Sequence, residues 1–155
     1  MSKIFDWLYL GSRYDASNEE WLMNEGISNV LNVAYETYNI NYTSEINVMK
    51  IPLIDHPSEN ISKELEVGYA YISLAKESNK KILVHCVAGI SRSTTFVLYY
   101  LMKDHKMTLS EALDFIRGKR PQVRPNDGFL SCLYNFQNIP KNEEPVIKNQ
   151  WCSLM

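Results

Sequence analysis

A run of nine residues, His85-Cys86-Val87-Ala88-Gly89-Ile90-Ser91-Arg92-Ser93, lies between two strongly apolar segments. Before it, Lys81 to His85 (KILVH) reads as a short buried strand. After it, from Ser93 to about His105, the pattern reads as an apolar helix. A loop this short between a strand and a helix must turn tightly, and Gly89 offers the dihedral freedom that such a turn demands. Successive backbone N–H groups then point into one concavity, and the following helix adds the positive end of its dipole. The chain is thereby drawn towards an α/β arrangement with an anion cradle at a strand-to-helix junction.

The remaining segments fit that frame. Trp7 to Leu10 reads as an early strand closed by Gly11 and Ser12, and Ile27 to Val33 (ISNVLNV) as a buried one. A polar, helix-compatible stretch from about Ala16 to Glu25 is stopped by Gly26, and Tyr35 to Ile46 reads as loop. Val48 to Leu53 is a short apolar run broken at Pro52. Asp55 to Glu59 is a loop, because Pro57 disfavours helix before it. Ser62 is placed to cap a helix that Asn79 ends, with Leu65, Tyr69, Ile72 and either Leu74 or Ala75 on its inner stripe. Thr108 and Glu111 form a capping box, Pro121 and Pro125 mark a loop, and a last helix covers about Asp127 to Asn138. The expected fold is α/β: a central mixed, mostly parallel sheet of about five strands flanked by helices, with the phosphate-binding loop between a strand and a helix. Residues 1–140 are expected to form one catalytic domain and 141–155 a flexible tail.

Charge and cysteine content narrow the function. With 16 basic and 18 acidic residues, the net charge of −2 offers no polyanion groove, so no nucleic-acid partner is expected. Three cysteines without regular spacing are not a disulfide framework and suit a reducing compartment. No signal peptide and no run long enough to span a membrane is apparent, so a cytoplasmic location is expected.

The loop also carries the chemistry. Arg92 supplies a planar fork that can grip two phosphate oxygens. A thiol beside an Arg at a helix N-terminus is favoured as thiolate, which makes Cys86 the nucleophile. The Ser93 hydroxyl is placed to hydrogen-bond that sulfur and help it leave, or to cap the helix. His85 reads as structural support that fixes the loop backbone. Val87, Ala88, Gly89, Ile90, Ser91 and Arg92 would wrap the bound phosphate. The cradle and Arg92 neutralise charge by themselves, so neither a metal nor another cofactor is expected.

HCVAGISRS matches the H-C-x-x-G-x-x-R-[ST] pattern and resembles the dual-specificity branch of the protein tyrosine phosphatase superfamily, in its small atypical type. WLYLGS, GISNVLNVA, IPLID and RPNDGF follow in that family's order and spacing, so the resemblance spans about Ile4 to Asn138. It implies a protein phosphatase that hydrolyses phosphotyrosine, phosphoserine and phosphothreonine through a cysteinyl-phosphate intermediate. It implies a general acid and base on a loop upstream, here Asp55, 31 residues before Cys86, where the bare sequence reads only a turn former. It also implies that the Asn126 side chain supports the phosphate loop, whereas the sequence alone reads a helix cap. A Gln often precedes Leu133 in the family; Cys132 stands there instead, and a change in local packing is expected.

The loop between Cys86 and Arg92 carries no charge, which favours phosphorylated proteins over phosphoinositides as substrates. A phosphate-binding module without turnover, and a phosphatase for a non-protein phosphomonoester, are the competing readings. The terminal Cys152-Ser153-Leu154-Met155 fits a C-a-a-X motif, which makes Cys152 a lipidation candidate for farnesyl. One such chain gives only weak, reversible membrane association.

Overall fold

The computed structural model describes residues 1–139. The tail expected over 141–155, and with it Cys152, lies outside the described residues. In chain order the elements are β1 (Ser2–Phe5), β2 (Leu8–Gly11), α1 (Arg13–Ser17), α2 (Glu19–Glu25), β3 (Ile27–Asn32), a 3-10 turn (Tyr35–Thr37), β4 (Asn47–Lys50), α3 (Ser62–Glu77), β5 (Lys81–His85), α4 (Arg92–Asp104), α5 (Leu109–Lys119) and α6 (Asp127–Gln137).

The five strands form one sheet in the order β1-β2-β5-β3-β4. Only β1 runs antiparallel; β2, β5, β3 and β4 are parallel neighbours. Both faces of the sheet are covered, so its strands read as continuous apolar runs. Leu8, Leu10, Leu31, Ile82 and Val84 face the larger core, which they share with residues of α3 to α6. Tyr9, Val30 and Leu83, one position out of phase, face a smaller core completed by Ala16 and Leu22.

Helix α4 is the centre of the larger layer. Every residue from Arg92 to Met102 is buried: a polar first turn, Arg92 to Thr95, and then an apolar run from Phe96 to Met102. Burying Phe96, Leu98 and Leu101 contributes roughly 1.5–3 kcal/mol each. That packing fixes where the helix begins, and its N-terminus meets the loop after β5.

Several local expectations change. β1 adds a strand to those read from the sequence: it is a short edge strand with a single buried residue, Ile4, too little for a period to register. Ser62 does not cap α3 but is its first residue; the Asn60 side chain accepts hydrogen bonds from the Ser62 N–H (3.2 Å) and hydroxyl (3.0 Å) in its place. The inner stripe takes Ala75, while Leu74 is exposed. β4 stops at Lys50 because Pro52 has no N–H to extend the ladder, although Ile51 and Leu53 stay buried. The Thr108–Glu111 capping box forms as read, with bonds of 3.1 and 3.2 Å.

The parallel strands all end at the same edge of the sheet. Ser12 and Arg13 follow β2, Glu36 lies just beyond β3, Asp55 beyond β4 and Cys86 directly after β5. Open parallel sheets bind ligands at this edge, in the crevice outside the carboxyl ends of the strands.

Candidate active site

The site starts at the end of β5. His85 is fully buried, and its Nδ1 lies 3.0 Å from the Cys86 carbonyl. A carbonyl only accepts, so Nδ1 carries the proton. Nε2 has no hydrogen-bond partner among the described residues. Burial outweighs the help of the Cys86 carbonyl and pushes the imidazole down to about 4, so it is neutral at pH 7. Its contribution to stability is therefore complete above the unfolded value of 6.5 and is lost as pH falls towards 4. Denaturant unfolding of His85→Asn and the parent should converge by about 3 kcal/mol between pH 7 and pH 4. A constant difference over that range would show that His85 is not the group that titrates.

The loop from Cys86 to Arg92 is held from outside by its carbonyls. The Arg13 N–H donates to Val87 O (2.9 Å), and the Arg124 N–H to Ile90 O (2.8 Å). Buried Arg120 donates from Nε to Gly89 O (2.9 Å) and from Nη2 to Ala88 O (3.2 Å). In a planar trans peptide the N–H points opposite to the carbonyl. Four carbonyls turned outward therefore turn the N–H groups of Ala88, Gly89, Ile90 and Ser91 inward. The Gly89 N–H donates to Cys86 Sγ at 3.3 Å, while those of Ala88, Ile90 and Ser91 donate to nothing among the described residues. Gly89 sits at φ +69°, and a Cβ there would lie 2.5 Å from Gly11 O and 2.6 Å from Arg120 Nη2. No other residue fits both the dihedral and the space. Arg120 carries no sequence signal: it lies 34 residues after Cys86 in a Lys-Arg-Pro run that reads as surface charge.

Cys86 Sγ is buried at the floor of this bowl, with Ser93 Oγ 3.1 Å away. The Ser93 side chain thus takes the sulfur contact; the cap position of α4 belongs to Ser91.

Arg92 is 5% exposed. Its Nη1 donates to Glu36 Oε2 at 2.5 Å and to the Leu53 carbonyl at 2.8 Å. Its Nε is buried without a partner among the described residues. Burial raises the Glu36 carboxyl, but the Arg92 hydrogen bond and charge outweigh it and hold Glu36 below its usual range. Sequence reasoning misses Glu36 because it lies in a stretch legible only as polar loop.

Asp55 comes to the same place from β4. Its Oδ1 accepts from Ser91 Oγ (2.7 Å) and from Asn126 Nδ2 (2.9 Å), and its Oδ2 has no hydrogen bond among the described residues. Asn126 supports the phosphate loop differently from what the resemblance implied. Its backbone N–H, not its side chain, reaches the loop, donating to Ser91 Oγ at 3.0 Å. The side chain instead holds Asp55 and caps α6 by accepting from the Phe129 N–H at 2.9 Å. Cys132 is buried on α6 and is disulfide-bonded.

Among the described residues, no group of three or more His, Cys, Asp or Glu is placed to hold a metal ion, and no helix is long and apolar enough to cross a membrane.

A model of the dual specificity phosphatase catalytic domain matches residues 8–139. The chain is 37% identical over 142 residues to human dual specificity protein phosphatase 16, covering 92% of this chain and 21% of the relative. It is 38% identical over 145 residues to human dual specificity protein phosphatase 5, covering 92% of this chain and 38% of the relative. The chain thus spans between about a fifth and two fifths of the length of these curated relatives. Among solved structures, it is similar to human DUSP28, with a TM-score of 0.82 and 28% identity, covering 88% of this chain and 95% of that one.

Proposed function

The chain belongs to the dual specificity phosphatase family, and from that premise we propose that it hydrolyses phosphotyrosine, phosphoserine and phosphothreonine in proteins, with Cys86 as nucleophile. Phosphate oxygens lie in the bowl of inward N–H groups from Ala88 to Ser91, at the N-terminus of α4. The Arg92 guanidinium, braced on one side by Glu36 and Leu53 O, takes two of them. The Cys86 thiolate attacks phosphorus and the bond to the leaving oxygen breaks, while Asp55 gives that oxygen its proton. Water then attacks the thiophosphate and loses a proton to Asp55. The sulfur–phosphorus bond breaks, and the Ser93 hydroxyl, 3.1 Å from the sulfur, stabilises the returning thiolate. Positioning and charge stabilisation account for most of such a phosphoryl transfer.

The observation that carries this reading is the convergence at one sheet edge of Cys86 Sγ, the Asp55 carboxyl, and N–H groups and an Arg92 Nε that have no partner among the described residues. The uncharged loop supports a single phosphate on a protein side chain as substrate.

Asp55→Asn provides the test. It should lower kcat/KM about 100-fold with phenyl phosphate, whose leaving oxygen needs a proton. With 2,4-dinitrophenyl phosphate, whose leaving group departs unprotonated, kcat/KM should change less than about threefold, because kcat/KM does not contain the later hydrolysis step in which Asp55 acts as base. Unchanged turnover of phenyl phosphate would place the acid elsewhere.

A further inference from the structure

We infer that Gly128, in the first turn of α6, sets where Asp55 stands over the phosphate loop, and so acts as a positioning residue for proton transfer. The inference rests on the reading of Asp55 as the acid. A Cβ on Gly128 would lie 2.0 Å from the Pro57 carbonyl oxygen and 2.7 Å from both Pro57 C and Cα. Real Cβ contacts essentially never fall under 3.0 Å. The atoms met are backbone, so no rotamer change relieves the contact. Glycine here lets the acid loop rest directly on the helix.

Pro57 is two residues from Asp55, and hydrogen bonds tie the segment around them together. The His56 N–H donates to Ile54 O and the Glu59 N–H to His56 O, both at 3.0 Å. The Ser58 N–H donates to His56 Nδ1 at 3.1 Å, and the Ile54 N–H to Glu59 Oε1 at 3.3 Å. A push on Pro57 is therefore passed to Asp55. The same helix end also grips Asp55 through Asn126 Nδ2 at 2.9 Å, so α6 fixes the acid at two points.

When a methyl group is added at Gly128, the loop yields rather than the helix. α6 is anchored by buried Phe129, Cys132 and Leu133, whereas Ile54 to Ser58 are exposed. A cleft of about 370 Å³ lies alongside, lined by residues of both segments, including Ser58, Asn60 and Ser131. The displacement needed is about an ångström, and a misplacement of that size can cost roughly 100-fold where a reacting group must be held in register.

Gly128→Ala should lower kcat/KM about 10- to 100-fold with phenyl phosphate and less than about twofold with 2,4-dinitrophenyl phosphate. The inhibition constant of inorganic phosphate should stay within about twofold, because the cradle is untouched. In an Asp55→Asn background, Gly128→Ala should add nothing further. Gly118→Ala, where an added Cβ meets nothing within 4 Å, is the control and should change none of these. Equal losses with both substrates, or a loss that multiplies with that of Asp55→Asn, overturn the inference. If Asp55→Asn itself spares phenyl phosphate, the reading of the acid falls and this inference with it. If Asp55→Asn is impaired and Gly128→Ala is not, the inference alone falls. Should Gly128→Ala not fold, Pro57→Gly keeps the contacting backbone atoms but removes the ring that fixes φ, so the loop no longer rests on the helix in one position. Its loss must also be confined to phenyl phosphate, and an equal loss with both substrates, or none, is the overturning result.

Discussion

Serine in place of Cys86 abolishes turnover while leaving oxyanion binding intact. Cys86 is 2% exposed, and its sulfur touches the Gly89 N–H and the Ser93 hydroxyl, contacts that a serine oxygen can reproduce in a slightly smaller volume. The cradle does not depend on it, because its N–H groups are aimed by carbonyls tied to Arg13, Arg120 and Arg124. Nucleophilicity does depend on it: an alkoxide is far harder to form at neutral pH than a thiolate. Removing a nucleophile from a concerted site costs about 10⁴-fold or more in kcat, or about 5 kcal/mol of barrier and above. Steady-state turnover of p-nitrophenyl phosphate measures the first effect, and calorimetric titration with inorganic phosphate the second. Cys86→Ser retaining parental turnover would eliminate the covalent route. A parent protein that binds phosphate without any turnover would make the chain a binding module.

The sequence made most of this site legible because the chemistry is local. Cys86, the loop residues, Arg92 and Ser93 lie within nine residues, and their flanking apolar runs declare a strand and a helix. The sheet was legible because buried parallel strands are short apolar runs, as in KILVH and ISNVLNV. What stayed hidden depends on pairs distant in the chain. Glu36 reaches Arg92 from 56 residues away, and Arg120 reaches Gly89 from 31. Neither has a spacing that anything local dictates. Asp55 is legible only through resemblance, since an Asp two residues before a Pro reads as a turn former on physical grounds alone. For Asn126 the sequence cannot separate the N–H, which reaches Ser91, from the side chain, which reaches Asp55. The Gly128–Pro57 approach belongs to the same class: a missing side chain leaves no pattern to read.

Replacing Arg92 by lysine separates charge from geometry. If the site needs only a positive charge beside the phosphate, Arg92→Lys should be mild. The structure gives Arg92 two tasks at once. Nη1 is already committed to Glu36 Oε2 and Leu53 O, and this fixes the plane of the guanidinium. The unpaired Nε then lies on another edge of that plane, available to phosphate oxygens. An ammonium has a single nitrogen, which cannot satisfy Glu36 and the Leu53 carbonyl and still present a flat two-point grip. Drawn to Glu36, it leaves the phosphate with one preorganised donor fewer, and such donors carry much of the charge stabilisation. The expected loss in kcat is about 10²–10³-fold, with the KM for aryl phosphates also raised. Glu36→Gln keeps an oxygen acceptor for Nη1 and loses only the charge of a half-exposed group, so its cost should be several-fold at most. An Arg92→Lys enzyme within about threefold of the parent would mean that the charge alone suffices and that the brace from Glu36 is incidental.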